Sequence, residues 1–188
     1  MKVTTTDIPG LLIIEPNMHG DDRGFFYEAF QAKRYTEHGI NLPFVQDNIS
    51  RSQQNVLRGL HHQRQHTQGK LVWVTQGRVF DVIVDIRRDS PAFGKWVGVM
   101  LDASQINQVY VPPGCAHGFC VLSKHADFIY KCTDYYDKAS EISIAWNDPD
   151  IGIDWPITDN LILSEKDKNA PRLCDVPENM LPQYREQQ

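Results

Sequence analysis

The chain has 188 residues, 41% of them hydrophobic, and a formal net charge of −5 at neutral pH. That is one domain's worth of chain, long enough to bury roughly two thirds of its unfolded surface. The acidic balance excludes general nucleic-acid binding, which needs a basic footprint, but leaves room for a small anionic ligand at a local Arg/Lys cluster. No apolar run is long enough to span a bilayer, and Met1-Lys2-Val3-Thr4-Thr5-Thr6 lacks the apolar core of a signal peptide. Cys115, Cys120, Cys132 and Cys174 have no CxxC or finger spacing, so a reduced, cytoplasmic setting is expected.

Leu11–Glu15 reads as a first strand, ended by Pro16. A turn at Gly20-Asp21-Asp22-Arg23-Gly24 feeds the aromatic run Phe25–Phe30, also read as strand. Gln31–Glu37 is rich in helix formers, with Gly39 where a C-terminal cap belongs. The middle of the chain is nearly all β. Leu71–Val74 and Val79–Ile86 flank Gly77 and read as a hairpin, and the second run is apolar on both faces, as in a strand packed on two sides. Trp96–Leu101, Gln108–Val111, Gly118–Leu122, Asp127–Thr133 and Glu141–Trp146 complete the strands, with the turn Pro112-Pro113-Gly114 among them. Many short strands with Gly/Pro turns and no βαβ alternation indicate a single all-β domain, a sandwich or barrel of jelly-roll type. Ser164-Glu165-Lys166-Asp167 has the form of an N-capped helix start. Beyond about residue 172 the chain is expected to be peripheral, with Gln183–Gln188 frayed.

The chemistry concentrates in Asn55-Val56-Leu57-Arg58-Gly59-Leu60-His61-His62-Gln63-Arg64 and Gly69-Lys70-Leu71-Val72-Trp73-Val74, which set ionisable groups among strand residues. Burying such groups costs several kcal/mol unless they are paired. A metal site in a jelly roll would want a His-x-His pair followed by a carboxylate. Here His61 and His62 are adjacent, and so face opposite sides of a strand, and Lys70 follows in place of a ligand. His117 alone is a poor site, so no metal is expected. No serine sits in a Gly-x-Ser-x-Gly elbow. General acid–base chemistry, with a histidine oriented by a carboxylate, fits better.

Several segments then resemble the dTDP-4-dehydrorhamnose 3,5-epimerases. They are Arg23-Gly24-Phe25-Phe26-x-Glu28, Phe44-Val45-Gln46-Asp47-Asn48, Asn55–His61, Gln68-Gly69-Lys70-Leu71 and Val79–Arg87. Pro113-Gly114-x-Ala116-His117-Gly118-Phe119, Tyr130-Lys131 and Gly152-Ile153-x-Trp155-Pro156 continue the series in unbroken order. The resemblance implies a cupin-like jelly roll with a few short helices, mainly near the C-terminus, acting as a homodimer without metal or cofactor. It implies action on dTDP-4-dehydro-6-deoxy-D-glucose, with inversion at C3 and C5. By position, His61 would be the base, Asp167 its carboxylate partner, Tyr130 the opposing acid, and Lys70 a neighbour of the C4 oxygen. Arg58 and His117 would line the sugar and diphosphate end. Arg23, Phe26, Glu28, Gln46 and Asn48 would hold the nucleotide, some from the partner subunit, with Glu141 and Lys166 at the rim.

Each assignment has a plainer rival. His61 reads equally as a half-buried strand histidine, Tyr130 as a core aromatic with Tyr135 and Tyr136 as rival acids, and Asp167 as the acidic residue of the Ser164 cap. Strict alternation puts Arg58 and His61 on opposite faces, and their sharing a pocket requires a bulge or twist at Gly59. Two other functions stay open: a relative that inverts one carbon or moves the ketone, and a non-catalytic sugar-binding jelly roll.

Overall fold

The computed structural model describes residues 1–185. In chain order these form β1 (Lys2–Thr5), β2 (Leu12–Glu15), β3 (Met18–Asp21), β4 (Gly24–Tyr27), α1 (Ala32–Thr36), β5 (Gln46–Gln53), β6 (Leu57–Gln63) and β7 (Lys70–Gln76). There follow β8 (Arg78–Asp85), β9 (Trp96–Asp102), β10 (Gln108–Val111), β11 (Cys115–Val121), β12 (His125–Cys132), β13 (Glu141–Ser143) and α2 (Glu165–Lys168). A six-stranded sheet runs β1-β2-β10-β7-β12-β5 and a five-stranded sheet runs β13-β6-β11-β8-β9, while β3 and β4 pair only with each other. The two large sheets face one another as a jelly roll. Among the described residues no helix is long and apolar enough to cross a membrane.

Period-2 alternation explains how the sheets pack. On β8, Val79 and Ile83 join Val72, Val74, Val111, Phe119 and Phe128 in the core between the sheets. The alternate residues Val82 and Val84 pack outward against Ile151, Trp155, Leu173 and Val176, so the C-terminal segment covers the back of the five-stranded sheet. That cover is why both faces of β8 are apolar. Leu173, Val176 and Leu181 are therefore part of the core, and the chain beyond about residue 172 is not the peripheral tail expected. A third cluster, including Tyr35, Ile40, Leu71, Trp73 and Tyr110, seats α1 on the outside of the six-stranded sheet. Gln31 caps α1 by accepting from Arg34 N at 2.6 Å, and Gly39 ends it at φ +87°.

Other expectations change too, beginning with the aromatic run Phe25–Phe30, which is strand only as far as Tyr27. β7 and β8 are not a hairpin: they belong to different sheets, and Gly77 is the corner between them, with φ +77° and no room for a Cβ beside His125 O. β11 starts at Cys115, three residues before the expected Gly118, so His117 lies within the strand. The run Glu141–Trp146 is a strand only over Glu141–Ser143. Finally, Gln183 and Tyr184 are not frayed, because Gln183 bridges to Arg88 and Tyr184 N donates to Arg88 O at 2.9 Å. The rest of the expected frayed end, residues 186–188, lies outside the described residues.

Candidate active site

Strand β6 is irregular where the chemistry requires it. Arg58 pairs with Phe119 and His61 with His117, so Gly59 and Leu60 together stand opposite Gly118. The extra residue shifts the side-chain parity, and Arg58 and His61 both line one cavity of about 800 Å³ between the sheets. Glycine is needed on both sides of this bulge. Gly59 has φ +124°, a Cβ there would lie 2.6 Å from Gly118 Cα, and a Cβ on Gly118 would lie 2.7 Å from Arg58 O.

His61 Nε2 lies 2.6 Å from Asp167 Oδ1. The Asp167 side chain is 3% exposed and that of His61 26%, so the imidazole is the open member of the pair and its partner the buried one. The N–H of Asp167 donates to Ser164 Oγ at 3.2 Å, which caps α2, and its carboxylate turns to His61. Ser164 caps α2 through the N–H of Asp167, and the Asp167 carboxylate does not close a capping box but meets His61. Burial pushes the Asp167 carboxyl up, but the hydrogen bond and charge of His61, the Ser164 bond and Lys166 outweigh it and leave it below the ordinary aspartate range.

The opposite sheet supplies Tyr130 from β12 and Lys70 from β7, both lining the same cavity. Tyr130 sits 6.1 Å from the ring of Phe128, which stacks on Phe119 at 4.2 Å. Burial raises the Tyr130 phenol above its usual range, so it carries its proton at neutral pH. Burial lowers the Lys70 ammonium, and among the described residues it has no ion-pair partner. Tyr135 is exposed and does not border the cavity, and Tyr136 stands at the rim.

On the five-stranded sheet His117 is buried and its Nε2 lies 2.7 Å from Asp81 Oδ1, while Asp81 Oδ2 has no partner. Arg58 Nε donates to Ser52 Oγ at 3.1 Å. His62 is buried with Nε2 unpaired, and burial followed by the nearby Lys70 pushes it down to about 4, so it is neutral at physiological pH. At the rim, Tyr136 N donates to Gln46 Oε1 at 3.0 Å and Gln46 Nε2 to Asn48 Oδ1 at 3.0 Å. Tyr136 Oη donates to Glu141 Oε2 at 3.3 Å, and Lys166 Nζ meets Glu141 Oε1 at 2.8 Å. Among the described residues no group of His, Cys, Asp and Glu side chains converges to hold a metal ion.

Residues 5–175 match the family model described as dTDP-4-dehydrorhamnose 3,5-epimerase. The chain belongs to that family. It is 56% identical to the dTDP-4-dehydrorhamnose 3,5-epimerase of Escherichia coli, over 94% of this chain and 96% of the relative. Its structure is similar, with a TM-score of 0.96 and 56% identity, to a dTDP-6-deoxy-D-glucose-3,5-epimerase from Legionella pneumophila in complex with dTDP-4-keto-L-rhamnose. That likeness covers 98% of this chain and 99% of the other. A 3'-monoepimerase from Streptomyces bikiniensis in complex with dTDP-quinovose shares the fold at a TM-score of 0.89 but is 34% identical, over 95% and 92% of the two chains.

Of the expected site residues, His61, Asp167, Tyr130, Lys70, Arg58, His117, Gln46, Asn48, Glu141 and Lys166 all border the one cavity. Arg23, Phe26 and Glu28 do not border it in the single chain, because they lie on or beside the separate β3–β4 hairpin. Arg23 is paired with Asp21 and 90% exposed at its side chain, Phe26 is 70% exposed, and Glu28 binds Arg34 at 2.7 Å. Sequence reasoning missed Asp81, although two aspartates on one face of an otherwise apolar strand, Asp81 and Asp85, were a visible signal. It also missed Gln63, whose Nε2 donates to the carbonyls of His66 and Tyr135 at 2.6 and 2.9 Å and ties together two rim loops. Nothing in the sequence marks that glutamine.

Proposed function

We propose that this chain inverts C3 and C5 of dTDP-4-dehydro-6-deoxy-D-glucose to give dTDP-4-dehydro-L-rhamnose, with His61 and Tyr130 as opposed base and acid. The observation that carries this reading is His61, held at 2.6 Å by a buried carboxylate and facing a cavity whose other wall bears a protonated tyrosine. C3 and C5 both lie next to the C4 ketone, so their protons are acidic enough for a side-chain base. At each carbon, His61 takes the proton, the electron pair passes to the C4 oxygen as an enolate, and Tyr130 returns a proton to the other face. Lys70 supports the oxyanion; solvent then restores the proton on Tyr130 and removes the one on His61. Every step is a proton transfer, so the reading calls for no cofactor.

Arg58 and His117 take the sugar and diphosphate end, Gln46 and Asn48 the nucleotide, and Glu141 and Lys166 the rim. Arg23, Phe26 and Glu28 lie outside this cavity on a detached hairpin that bares Phe25 and Phe26, a geometry suited to completing the cavity of a second copy. We read the active form as a homodimer on that basis. The described cysteines are all free, three of them buried, which agrees with a reducing, cytoplasmic setting.

The deciding experiment is proton NMR of the substrate with the protein in D₂O. Deuterium entering at both C3 and C5, with an L-sugar trapped by a 4-reductase, is the expected result. Deuterium at one carbon alone would move the protein to the mono-epimerases. Binding without exchange would leave a sugar-binding barrel and overturn the mechanism.

A further inference from the structure

Two adjacent residues of α2 reach two adjacent strands. Asp167 holds His61 on β6 at 2.6 Å, and Lys166 holds Glu141 on β13 at 2.8 Å. β13 pairs with β6, with Ser143 opposite His61 and Glu141 opposite Gln63, so Glu141 stands two places along from the dyad histidine. All four side chains border the same cavity, and Glu141 feels the charge of His61 as well as that of Lys166. Around this circuit the groups are imidazole, carboxylate, ammonium and carboxylate. Their signs alternate throughout once the imidazole takes up a proton. α2 is a single turn, too short to be stable alone, and these two contacts tie it to β6 and β13 beside the backbone bonds of Ile162 and Pro171 on either side of it.

The other walls make the second carboxylate matter. Arg58 on β6, Lys70 on β7 and Lys166 on α2 are cations bordering the cavity, and each opposes a proton on His61. The remaining titratable neighbours are His62 on β6, His117 on β11, and Tyr130 and Cys132 on β12, with Tyr136 at the rim. Asp167 and Glu141 are the only carboxylates bordering the cavity among the described residues.

We infer that Glu141 and Lys166 are positioning residues for the base: their ion pair closes a ring of alternating charge with Asp167 and His61 that governs when His61 accepts the substrate's proton. This rests on His61 being the base, and it goes beyond a place at the rim of the pocket.

The ring differs from a mechanical clasp in the sign of its response. Glu141→Gln leaves Lys166 unopposed beside the imidazole and disfavours its proton, so the acid limb of the kcat/KM profile moves to lower pH. Lys166→Gln leaves Glu141 unopposed and moves the limb to higher pH. A clasp alone would respond alike to both, since each breaks the same 2.8 Å contact.

The test is the profile from about pH 5 to about pH 9 for the intact protein, these two variants, the double variant and Lys166→Arg. The limbs are expected to part in opposite directions by about half a pH unit each, while the double variant and Lys166→Arg return close to the parent. A weaker KM common to both variants lowers the profile without moving its limb. Limbs that move together, or not at all, while the parent still exchanges substrate protons with solvent, overturn the inference. If the parent exchanges none, the base reading falls and the inference with it.

Discussion

The carboxylate of Asp167 serves His61 while its N–H serves the Ser164 cap, so side-chain and backbone roles can be separated by mutation. His61 itself carries the strongest expectation. His61→Ala should lower turnover by about 10²–10⁴-fold, with nucleotide-sugar binding retained by titration calorimetry. Turnover near the parent value would remove His61 as base. Tyr130→Phe keeps the ring packed on Phe128 and loses only the proton donor, so deuterium should still enter the substrate while finished L-sugar falls sharply. Normal product formation would rule it out as the acid. Lys70 is the costly residue of the site: a half-buried ammonium with no ion pair among the described residues. Lys70→Met should raise the melting temperature and abolish turnover, as expected where stability has been given up for function. A lower melting temperature would mean that the charge is compensated in the folded protein.

At the scale of elements, the bulge on β6 decides whether the site exists. Gly59→Ala places a Cβ 2.6 Å from Gly118 Cα, against backbone that cannot move aside, and does so at a positive φ. The expected result is a loss of about 2 kcal/mol or more in denaturant unfolding, together with lost turnover. An unchanged midpoint would mean the strands can part there at little cost. Much of this element was legible. Once the resemblance puts Arg58 and His61 in one pocket, strict alternation conflicts with it and asks for a bulge or twist at Gly59, where the bulge forms. β5 was not legible. Gln46-Asp47-Asn48-Ile49-Ser50-Arg51-Ser52-Gln53 has one strand former, Ile49, among polar residues, and it becomes a strand because β12 offers it an edge. The corner at Gly77 was misread for a related reason. A glycine between two apolar runs marks a reversal of the chain, but not whether the second run stays in the same sheet.

Across the whole molecule, pairing of strands far apart in sequence brings the two walls of the cavity together, and no local pattern reports it. Asp81 and His117 meet across neighbouring strands β8 and β11, and His61 and Asp167 meet 106 residues apart. The same pairing makes stability depend on acid. The carboxyls of Asp167 and Glu141 both lie below their ordinary ranges in the folded chain. Their contribution is therefore full above the unfolded carboxyl values, roughly pH 4, and is lost as pH falls through the lower folded-state values. Asp167→Asn should melt below the parent at neutral pH, with the gap closing in strong acid. A gap independent of pH would trace the loss to packing instead. One further consequence follows from the two walls. Because the proposed base hangs from one sheet and the proposed acid from the other, modest pressure or denaturant that eases the sheets apart should uncouple proton removal from proton return before the chain unfolds. The proportion of deuterium washed into unchanged sugar, against sugar carried through to the inverted configuration, then becomes a ruler for the gap between the sheets, read from the product itself.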